Sequence, residues 1–465
     1  MTTLIEQLAA AKGIASEYVD AWGHPAQVSE ESKAAMLGAM GYRVDDEAAL
    51  TEQLEQEHRQ HWLRPLDPVM VVRSGDPISL EVRLPIEFVN DALHWQIVLE
   101  QGALLSGQLT PIEGELVGVA EFEEMECQAY RVALDVQPEL GYHQLVLLEE
   151  GNDEPLATMR LIVAPKSCYK QAPIANGRKV WGPSVQLYCL RSRHNWGIGD
   201  FSDLGQLVEK AAAWGAHFVG LNPIHALYPA NPESASPYSP SSRRWLNVAY
   251  INVEAVPEFL ANERLKADVA SPAFQQHLAS LRAKENVDYT GVIETKIGML
   301  RQVFDEARLS AERQAAFDAF VAAGGDSLQQ QAAFDALQAH FYGKGENAWG
   351  WPVWPDAFCD YHNPEVAAWM AEHQHDVNFY LYLQFLADEQ LAQADARAKA
   401  AGMVMGIYRD LAVGVSEGST EIWANRAPYC PKAPVGAPPA LLGPLGQNGG
   451  RHPMNPHQPS DAAHQ

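Results

Sequence analysis

Two periodicities divide this chain, and one kind of packing cannot satisfy both. Between about residues 66 and 165 apolar and polar residues alternate, most strictly in Ile78-Ser79-Leu80-Glu81-Val82-Arg83-Leu84. Successive side chains of a strand point to opposite faces, so this spacing predicts a half-buried strand. Similar runs occupy residues 94–99, 131–136, 142–148 and 159–163, with turn residues such as Gly75-Asp76-Pro77 and Gly151-Asn152-Asp153 between them. Several short strands with regular turns predict a β-sandwich of about 100 residues. After Lys179 the pattern becomes strand, helix, strand. Residues 180–190 and 217–223 are apolar and strand-like, and 203–213 between them has helical spacing, which makes a βαβ unit with buried parallel strands.

A long helical insertion, about 260–400, follows. Phe334, Leu337 and Phe341 share one helix face below a cap at Asp326; a second long helix runs from Pro364 through Leu381, Leu386 and Ala400 and stops at Gly402. Residues 403–413 are a third buried strand. The chain opens with a helical segment, 1–65, in which Ser29 is the expected N-cap and Ala34, Ala35, Met36 and Met40 the buried stripe; residues 52–61 read as a solvated helix or linker. The expected organisation is therefore 1–65 helical, 66–165 sandwich, 180–448 α/β and a disordered tail at 449–465, in line with the roughly three domains that 465 residues suggest.

Hydrophobic residues make up 47% of the chain, enough core material to exclude disorder throughout. The net charge of −26 repels nucleic-acid phosphates and anionic lipid, so neither is an expected partner and a neutral substrate is favoured. Five widely spaced cysteines (Cys127, Cys168, Cys189, Cys359 and Cys430) without a CxxC pair suit free thiols in a reducing compartment. Residues 1–7 show no secretion signal, and no window approaches the ~18 apolar residues that span a bilayer, so a cytoplasmic location is expected.

Four blocks could carry chemistry. Arg191-Ser192-Arg193-His194-Asn195-Trp196-Gly197-Ile198-Gly199-Asp200-Phe201 joins a strand to a helix, where ligands bind in α/β folds. Its glycines are too few for a nucleotide fingerprint; a tight structural turn and a sugar site of Asn195, Trp196 and Asp200 both remain open. The second block runs from Asn222-Pro223-Ile224-His225-Ala226-Leu227-Tyr228-Pro229 through Ser236-Pro237-Tyr238-Ser239-Pro240 to Arg243-Arg244-Trp245-Leu246-Asn247. Aromatic rings beside hydroxyls and amides suit a pyranose, and a Pro-stiffened packed loop suits the composition equally. Trp349-Gly350-Trp351-Pro352-Val353-Trp354-Pro355 fits core or loop packing better than a site. Tyr408-Arg409-Asp410 ends the third strand, where a carboxylate is either functional or one half of an ion pair. His373-x-His375 and the histidines at 452, 457 and 464 lack metal-site spacing, and no Gly-x-Ser-x-Gly elbow occurs.

Together these blocks resemble the bacterial amylomaltase family, the 4-α-glucanotransferases also called disproportionating enzymes. The matching text includes Gln186-Leu187-Tyr188, Asn195 to Phe201, Leu221 to Pro229, Ser236 to Arg244, Tyr408 to Gly414 and Gly436-Ala437-Pro438-Pro439, and extends to about Asn448. The resemblance implies a TIM-type (α/β)8 barrel, here incomplete, preceded by the helical and sandwich parts. It implies transfer of α-1,4-glucan segments between maltooligosaccharides, with glucose also a substrate, through a covalent glycosyl-enzyme. Retaining chemistry of this kind needs a nucleophilic and an acid/base carboxylate about 5–5.5 Å apart, and no cofactor or metal. Carried over position by position, the implied sugar-binding residues are Ser236, Tyr238, Asn247 and Asp410, with Trp196 and Asp200 as weaker matches.

The catalytic blocks of that family, Arg-x-Asp-His, Gly-Glu-Asp-Leu-Gly and Thr-His-Asp, do not occur in this chain. The departure begins at Gly446-Gln447-Asn448-Gly449-Gly450, where the family reads Gly-Gln-x-Trp-Gly; Ala440 stands where the family tends to carry Asp, and His452-Pro453-Met454-Asn455-Pro456-His457 only partly matches. The expectation is a truncated or frameshifted reading frame, with roughly three of eight barrel strands and no activity of its own. Two alternatives are a non-catalytic maltooligosaccharide-binding protein and a hydrolase of the same clan.

Overall fold

In the computed structural model, which describes residues 3–454 other than 21, 123–124, 345–348, 431, 438, 440–442 and 444–445, the alternating stretch forms sheet and the later stretch forms strand and helix in turn. Ala440 and the tail beyond Met454, with His457 and His464, lie outside the described residues. The chain divides into two units at Lys170/Gln171.

The first unit begins with α1 (Leu4–Ala11), the hairpin β1 (Glu17–Val19) and β2 (Pro25–Gln27), α2 (Glu30–Ala39) and α3 (Glu47–Trp62). Ser29 caps α2 as expected, its hydroxyl accepting the Ser32 N–H. The hairpin is not expected from a helical segment. It forms because the Asp20 carboxylate accepts the N–H groups of Trp22 and His24 and Gly23 takes a φ of 84°, which turns the chain. The fully buried face of α2 is Lys33 and Leu37; of the expected stripe, Met40 packs half-buried against the same cluster and Ala34 is half-buried, while Ala35 and Met36 are exposed, Met36 at 45%. The i, i+4 pair faces Leu8 and Leu50, and Lys33 keeps its charge paired with Glu6.

The sandwich follows, with β3 (Val69–Arg73), β4 (Ile78–Pro85), β5 (Leu93–Val98), β6 (Leu104–Leu109), β7 (Glu115–Phe122), β8 (Met125–Leu134), β9 (Gly141–Glu149) and β10 (Pro155–Ala164). A five-stranded sheet of order β3-β10-β9-β5-β6 shares its core with a three-stranded sheet of order β4-β8-β7. In β4 the residues Ile78, Leu80, Val82 and Leu84 point inward, so the alternating run becomes the core face. Arg83 breaks the alternation by being buried, and it is neutralised by Asp67 and Glu81. The helices before the sandwich belong to the same unit, since His58 packs against Phe122 and the Trp62 ring lies over Gly118.

The second unit contains α4 (Ala172–Ala175), β11 (Ser184–Val185), α5 (Phe201–Ala213), β12 (Phe218–Leu221) and a hairpin of β13 (His225–Ala226) and β14 (Ser242–Leu246). Then come the helices α6 (Pro257–Leu260), α7 (Glu263–Ala270), α8 (Pro272–Arg282), α9 (Tyr289–Glu306), α10 (Ala311–Gly343), α11 (Pro364–Glu372) and α12 (Gln374–Ala400). The unit ends with β15 (Gly406–Arg409), α13 (Thr420–Ala424) and the short pair β16 (Gly436–Ala437) and β17 (Gln447–Asn448). Strands β11, β12 and β15 form a parallel sheet in that order, and α5 links the first two as the βαβ pattern requires. Each is shorter than its apolar run. β11 is cut to two residues because Gly182 presses on the Phe218 carbonyl, Pro183 has no N–H, and the chain turns into a 3-10 helix at Leu187–Cys189.

Gly402 follows α12 at a φ of 80°, the stop that the sequence predicts. The boundary expected at Asp326 falls one residue earlier, as a kink at Gly325 (φ 52°), whereas the break at His373 between α11 and α12 is not apparent in the periodicity. Phe334, Leu337 and Phe341 are buried together, and Phe334 meets the ring of Trp354, which puts the third tryptophan of its block in the core. Among the described residues no helix is long and apolar enough to cross a membrane.

The inner face of α10 also carries Gln331, Asp335 and Gln338, all buried. Asp335 accepts from the Gln331 amide at 3.0 Å through one oxygen, while its other oxygen has no partner. Burial pushes this carboxyl up to about 8. A folded-state value above the unfolded one means that stability is present at acid pH and lost as pH rises towards 8. Asp335→Asn should therefore be nearly neutral at about pH 4 and stabilising by about 2 kcal/mol or more at about pH 8, read by urea unfolding. Equal effects at the two values would contradict the burial argument.

Candidate functional site

Asn222 closes strand β12 and fixes where its loop begins. Its Oδ1 accepts the Leu187 N–H at 2.9 Å and its Nδ2 donates to the Pro223 carbonyl at 2.7 Å, so the ends of β11 and β12 are joined through one buried amide. The loop between β13 and β14 carries Ser236-Pro237-Tyr238-Ser239-Pro240. Its root is held by the Ser241 N–H on the Ala226 carbonyl, by the Ser241 and Thr420 hydroxyls 2.7 Å apart, and by the Tyr228 hydroxyl on Ser416. Four prolines between residues 229 and 240 restrict the rest.

Tyr238 projects from this loop, 49% exposed, and its hydroxyl donates to Oδ2 of Asp410 at 3.1 Å. Asp410 sits immediately past β15, at the C-terminal end of the parallel sheet, where ligands of α/β folds bind. The hydrogen bond to Asp410 raises the Tyr238 phenol above its ordinary value. An exposed ring and a carboxylate thus stand side by side, and Ser236 is exposed one turn away. These three residues from two expected blocks, 172 positions apart at the Tyr238–Asp410 contact, are brought together by the fold.

Charged groups behind them hold the two walls. Glu421, in the first turn of α13, accepts the Arg243 N–H at 2.5 Å, the Arg243 guanidinium at 3.4 Å, the Ser242 hydroxyl at 3.4 Å and the Tyr429 hydroxyl at 2.9 Å. Arg243 also donates to the Val413 carbonyl at 3.3 Å. Nε2 of His225 accepts the Ala412 N–H at 3.2 Å, and burial keeps this imidazole below its usual range. Residues 449–454, expected to be disordered, are also engaged. Arg451 Nε donates to the Tyr238 carbonyl at 2.5 Å and its Nη2 to the Ser239 hydroxyl at 2.9 Å, while the Pro453 carbonyl accepts the Cys430 N–H.

The remaining candidates hold structure. Asp200 is 3% exposed and is the N-cap of α5, where it and Asp203 form a reciprocal capping box. Burial pushes its carboxyl up to about 6, opposed by Lys296. Trp196, 2% exposed, donates through Nε1 to Glu254 at 2.9 Å and meets the Phe274 ring edge-on. Asn195 is fully engaged with Asp203 and the Leu190 carbonyl. Gly197 adopts a φ of 93° against Leu281, which gives its loop a packing role rather than a phosphate cradle. Asn247 caps the 3-10 turn Val248–Tyr250 and lines a small cleft with Tyr228 and Tyr289. Sequence reasoning singled out neither His225, which lies inside a block whose other residues looked more like a site, nor Glu421, which lies outside all four blocks and is marked only by the donors that the fold brings to it. Among the described residues no three His, Cys, Asp or Glu side chains converge as metal ligands.

A family model described as 4-alpha-glucanotransferase matches residues 185–464, past the point where the sequence resemblance fades, and one described as the MalQ N-terminal beta sandwich domain matches 65–165. A 4-alpha-glucanotransferase of Haemophilus influenzae is 39% identical over 324 residues, covering 68% of this chain and 46% of the relative. One from Mycobacterium tuberculosis is 34% identical over 471 residues, 97% of this chain and 61% of the relative. The crystal structure of amylomaltase from Corynebacterium glutamicum superposes with a TM-score of 0.81 at 30% identity, over 97% of this chain and 60% of that one. The chain therefore spans about half to three fifths of the length of these relatives.

If the Asp410 carboxylate is what raises the Tyr238 phenol, then Asp410→Asn should return that phenol towards its ordinary value of about 10. Ring-labelled tyrosine followed by NMR through the alkaline titration would show it. An unchanged Tyr238 resonance in the variant would mean that the contact does not persist in solution.

Proposed function

Since the chain belongs to the 4-alpha-glucanotransferase family, we propose that it contributes the sugar-binding wall of an enzyme that transfers α-1,4-glucan segments between maltooligosaccharides. The observation that carries this reading is the Tyr238–Asp410 contact at the C-terminal end of the parallel sheet. The exposed tyrosine ring covers the apolar face of a glucose unit, and the carboxylate accepts hydrogen bonds from its hydroxyls. Ser236 supplies a further hydroxyl beside the ring. A chain with a net charge of −26 suits a substrate that carries no charge.

The reaction is a retaining double displacement. A carboxylate oxygen attacks the anomeric carbon, the glycosidic C–O bond breaks, and the departing 4-oxygen takes a proton from an acid. The 4-hydroxyl of an acceptor glucan then gives its proton to the same residue, and its oxygen displaces the carboxylate. Two inversions restore the α configuration, and one glycosidic bond is lost for each one made. Tyr238, Asp410 and Ser236 hold the sugar in register for this exchange. Asn247, Trp196 and Asp200 act through the backbone they fix, because each is buried and hydrogen-bonded inside the fold. The family's Arg-x-Asp-His, Gly-Glu-Asp-Leu-Gly and Thr-His-Asp blocks are not present in this sequence, so what these 465 residues supply to the reaction is the sugar wall. The five cysteines are all free thiols, which fits work in the cytoplasm.

Isothermal calorimetry with maltohexaose should detect binding to the chain, and Tyr238→Ala should weaken it roughly tenfold through loss of the stacking surface. Absence of binding by the unaltered chain would refute the sugar wall.

A further inference from the structure

The segment that carries Asp410 has few supports of its own. Leu411 and Val413 are 67% and 79% exposed, so the chain leaving β15 is not anchored by burying its large apolar side chains there. Ala412 between them is buried, and its N–H donates to Nε2 of His225. Other ties among the described residues, such as the Arg243 guanidinium on the Val413 carbonyl and the Ser416 contacts with Pro240, Tyr228 and Arg451, lie farther from Asp410 along the chain. His225 is therefore the support nearest to the carboxylate that faces Tyr238. We propose that neutral His225 is a positioning residue for Asp410, and that protonation of its imidazole releases the 410–413 segment and weakens glucan binding. This rests on the reading of Tyr238 and Asp410 as a sugar wall.

The chemistry follows from the acceptor. To accept the Ala412 N–H, Nε2 must present its lone pair, which places the ring's single proton on Nδ1. A second proton could go only to Nε2, where it would face the amide proton across a distance suited to one hydrogen. The bond would become a contact between two donors, and the amide would have to move. The charged groups around the ring come from three elements. Glu421 of α13 and Asp410, just past β15, favour the charged ring; Arg243 of β14 and Arg409 of β15 disfavour it. Burial is the largest influence and holds the imidazole below its ordinary range, so the ring is neutral at neutral pH. A histidine whose folded-state value is depressed favours the fold above its unfolded value and loses that contribution as pH falls.

The test uses the 465-residue chain with maltohexaose as the probe, by calorimetry at about pH 7.5 and about pH 5, on either side of the ordinary imidazole value. His225→Gln places a carboxamide oxygen near the position of Nε2, an acceptor that does not titrate. The unaltered chain should bind roughly tenfold more weakly at the lower pH, and His225→Gln should show little difference between the two. Hydrogen exchange at the Ala412 amide gives a readout that needs no sugar. At the lower pH this amide should exchange faster in the unaltered chain than in His225→Gln, and His225→Ala should lose its protection at both values. The same pH response in both proteins, or a protected Ala412 amide in His225→Ala, would overturn the proposal. Should the unaltered chain bind no maltohexaose at either pH, the sugar wall itself is refuted, while the exchange comparison still decides the role of His225.

Discussion

The Glu421 carboxylate ties together two stretches of chain that lie 178 residues apart at its contact with Arg243. On one side is the β13–β14 hairpin, whose loop carries Tyr238; on the other is the segment after β15, which carries Asp410. Four donors converge on this one group, and two of them belong to Arg243, so a partly buried charge is matched by charge and by geometry. The Ser241–Thr420 and Tyr228–Ser416 pairs extend the same seam with neutral hydroxyls. All of these contacts except the one from Tyr429 join the second strand's loop to the third strand's. The separation of Tyr238 from Asp410 is thus a consequence of the seam rather than of either loop alone. A parallel sheet delivers strand ends to one edge, but strand geometry leaves the loops beyond them undetermined, and side-chain bonds such as these settle their course.

A second buried seam lies beneath the first-strand loop. Lys296 of α9 donates to the carbonyls of Ala249 and Ile251 at 2.7 and 2.8 Å, and with Asp200 and Asp203 it forms a buried charged cluster. Burial pulls this amine down to about 8, while the two carboxylates pull it back up. Here a lysine from the helical insertion satisfies backbone carbonyls that the irregular turns after β14 leave without sheet partners. The insertion therefore braces the loops at the end of the sheet as well as covering it. It also explains why a strand-to-helix junction rich in Asn, Trp and Asp is structural. Its polar atoms are turned inward to caps and carbonyls, and the same residue types facing outward would have made a site.

That inward or outward choice marks the limit of what the sequence discloses. Where burial follows local period, the sequence is transparent: Ile78, Leu80, Val82 and Leu84 become one core face, Ser29 becomes a cap, and Gly402 ends a helix. Strands β3, β6 and β7 were less legible. β3 and β6 lie at the edges of their sheet, and β7 carries a register shift between Leu116 and Gly118 that spoils its alternation. The β1–β2 hairpin depends on one Asx turn at Asp20, a signal only a few residues long. Of the candidate site, Tyr238 and Asp410 were legible as members of separate blocks, whereas their contact was not, because nothing local encodes an interaction across 172 residues. Asp200 and Asp410 are the same residue type at similar junctions, and only tertiary burial separates the helix cap from the carboxylate that faces Tyr238.

The exposed position of Tyr238 has a thermodynamic logic. A flat ring already fixed by a proline-flanked turn and by its hydroxyl bond loses little conformational freedom when a sugar stacks on it. In the proposed sugar wall the apolar face of a glucose unit would then gain on the order of 25 cal/mol for each Å2 it removes from water, with little ordering cost against it. The carboxylate beside it has about four acceptor sites, of which the phenol occupies one, so sugar hydroxyls can add to the existing bond without breaking it. Selectivity would follow from the same arrangement: a ligand without hydroxyls would cover the carboxylate and leave its remaining acceptor sites unmatched, and burying a charge without enough hydrogen bonds is heavily disfavoured. The proposed sugar wall would therefore discriminate by what it would cost to bind the wrong molecule as much as by what it gains from the right one.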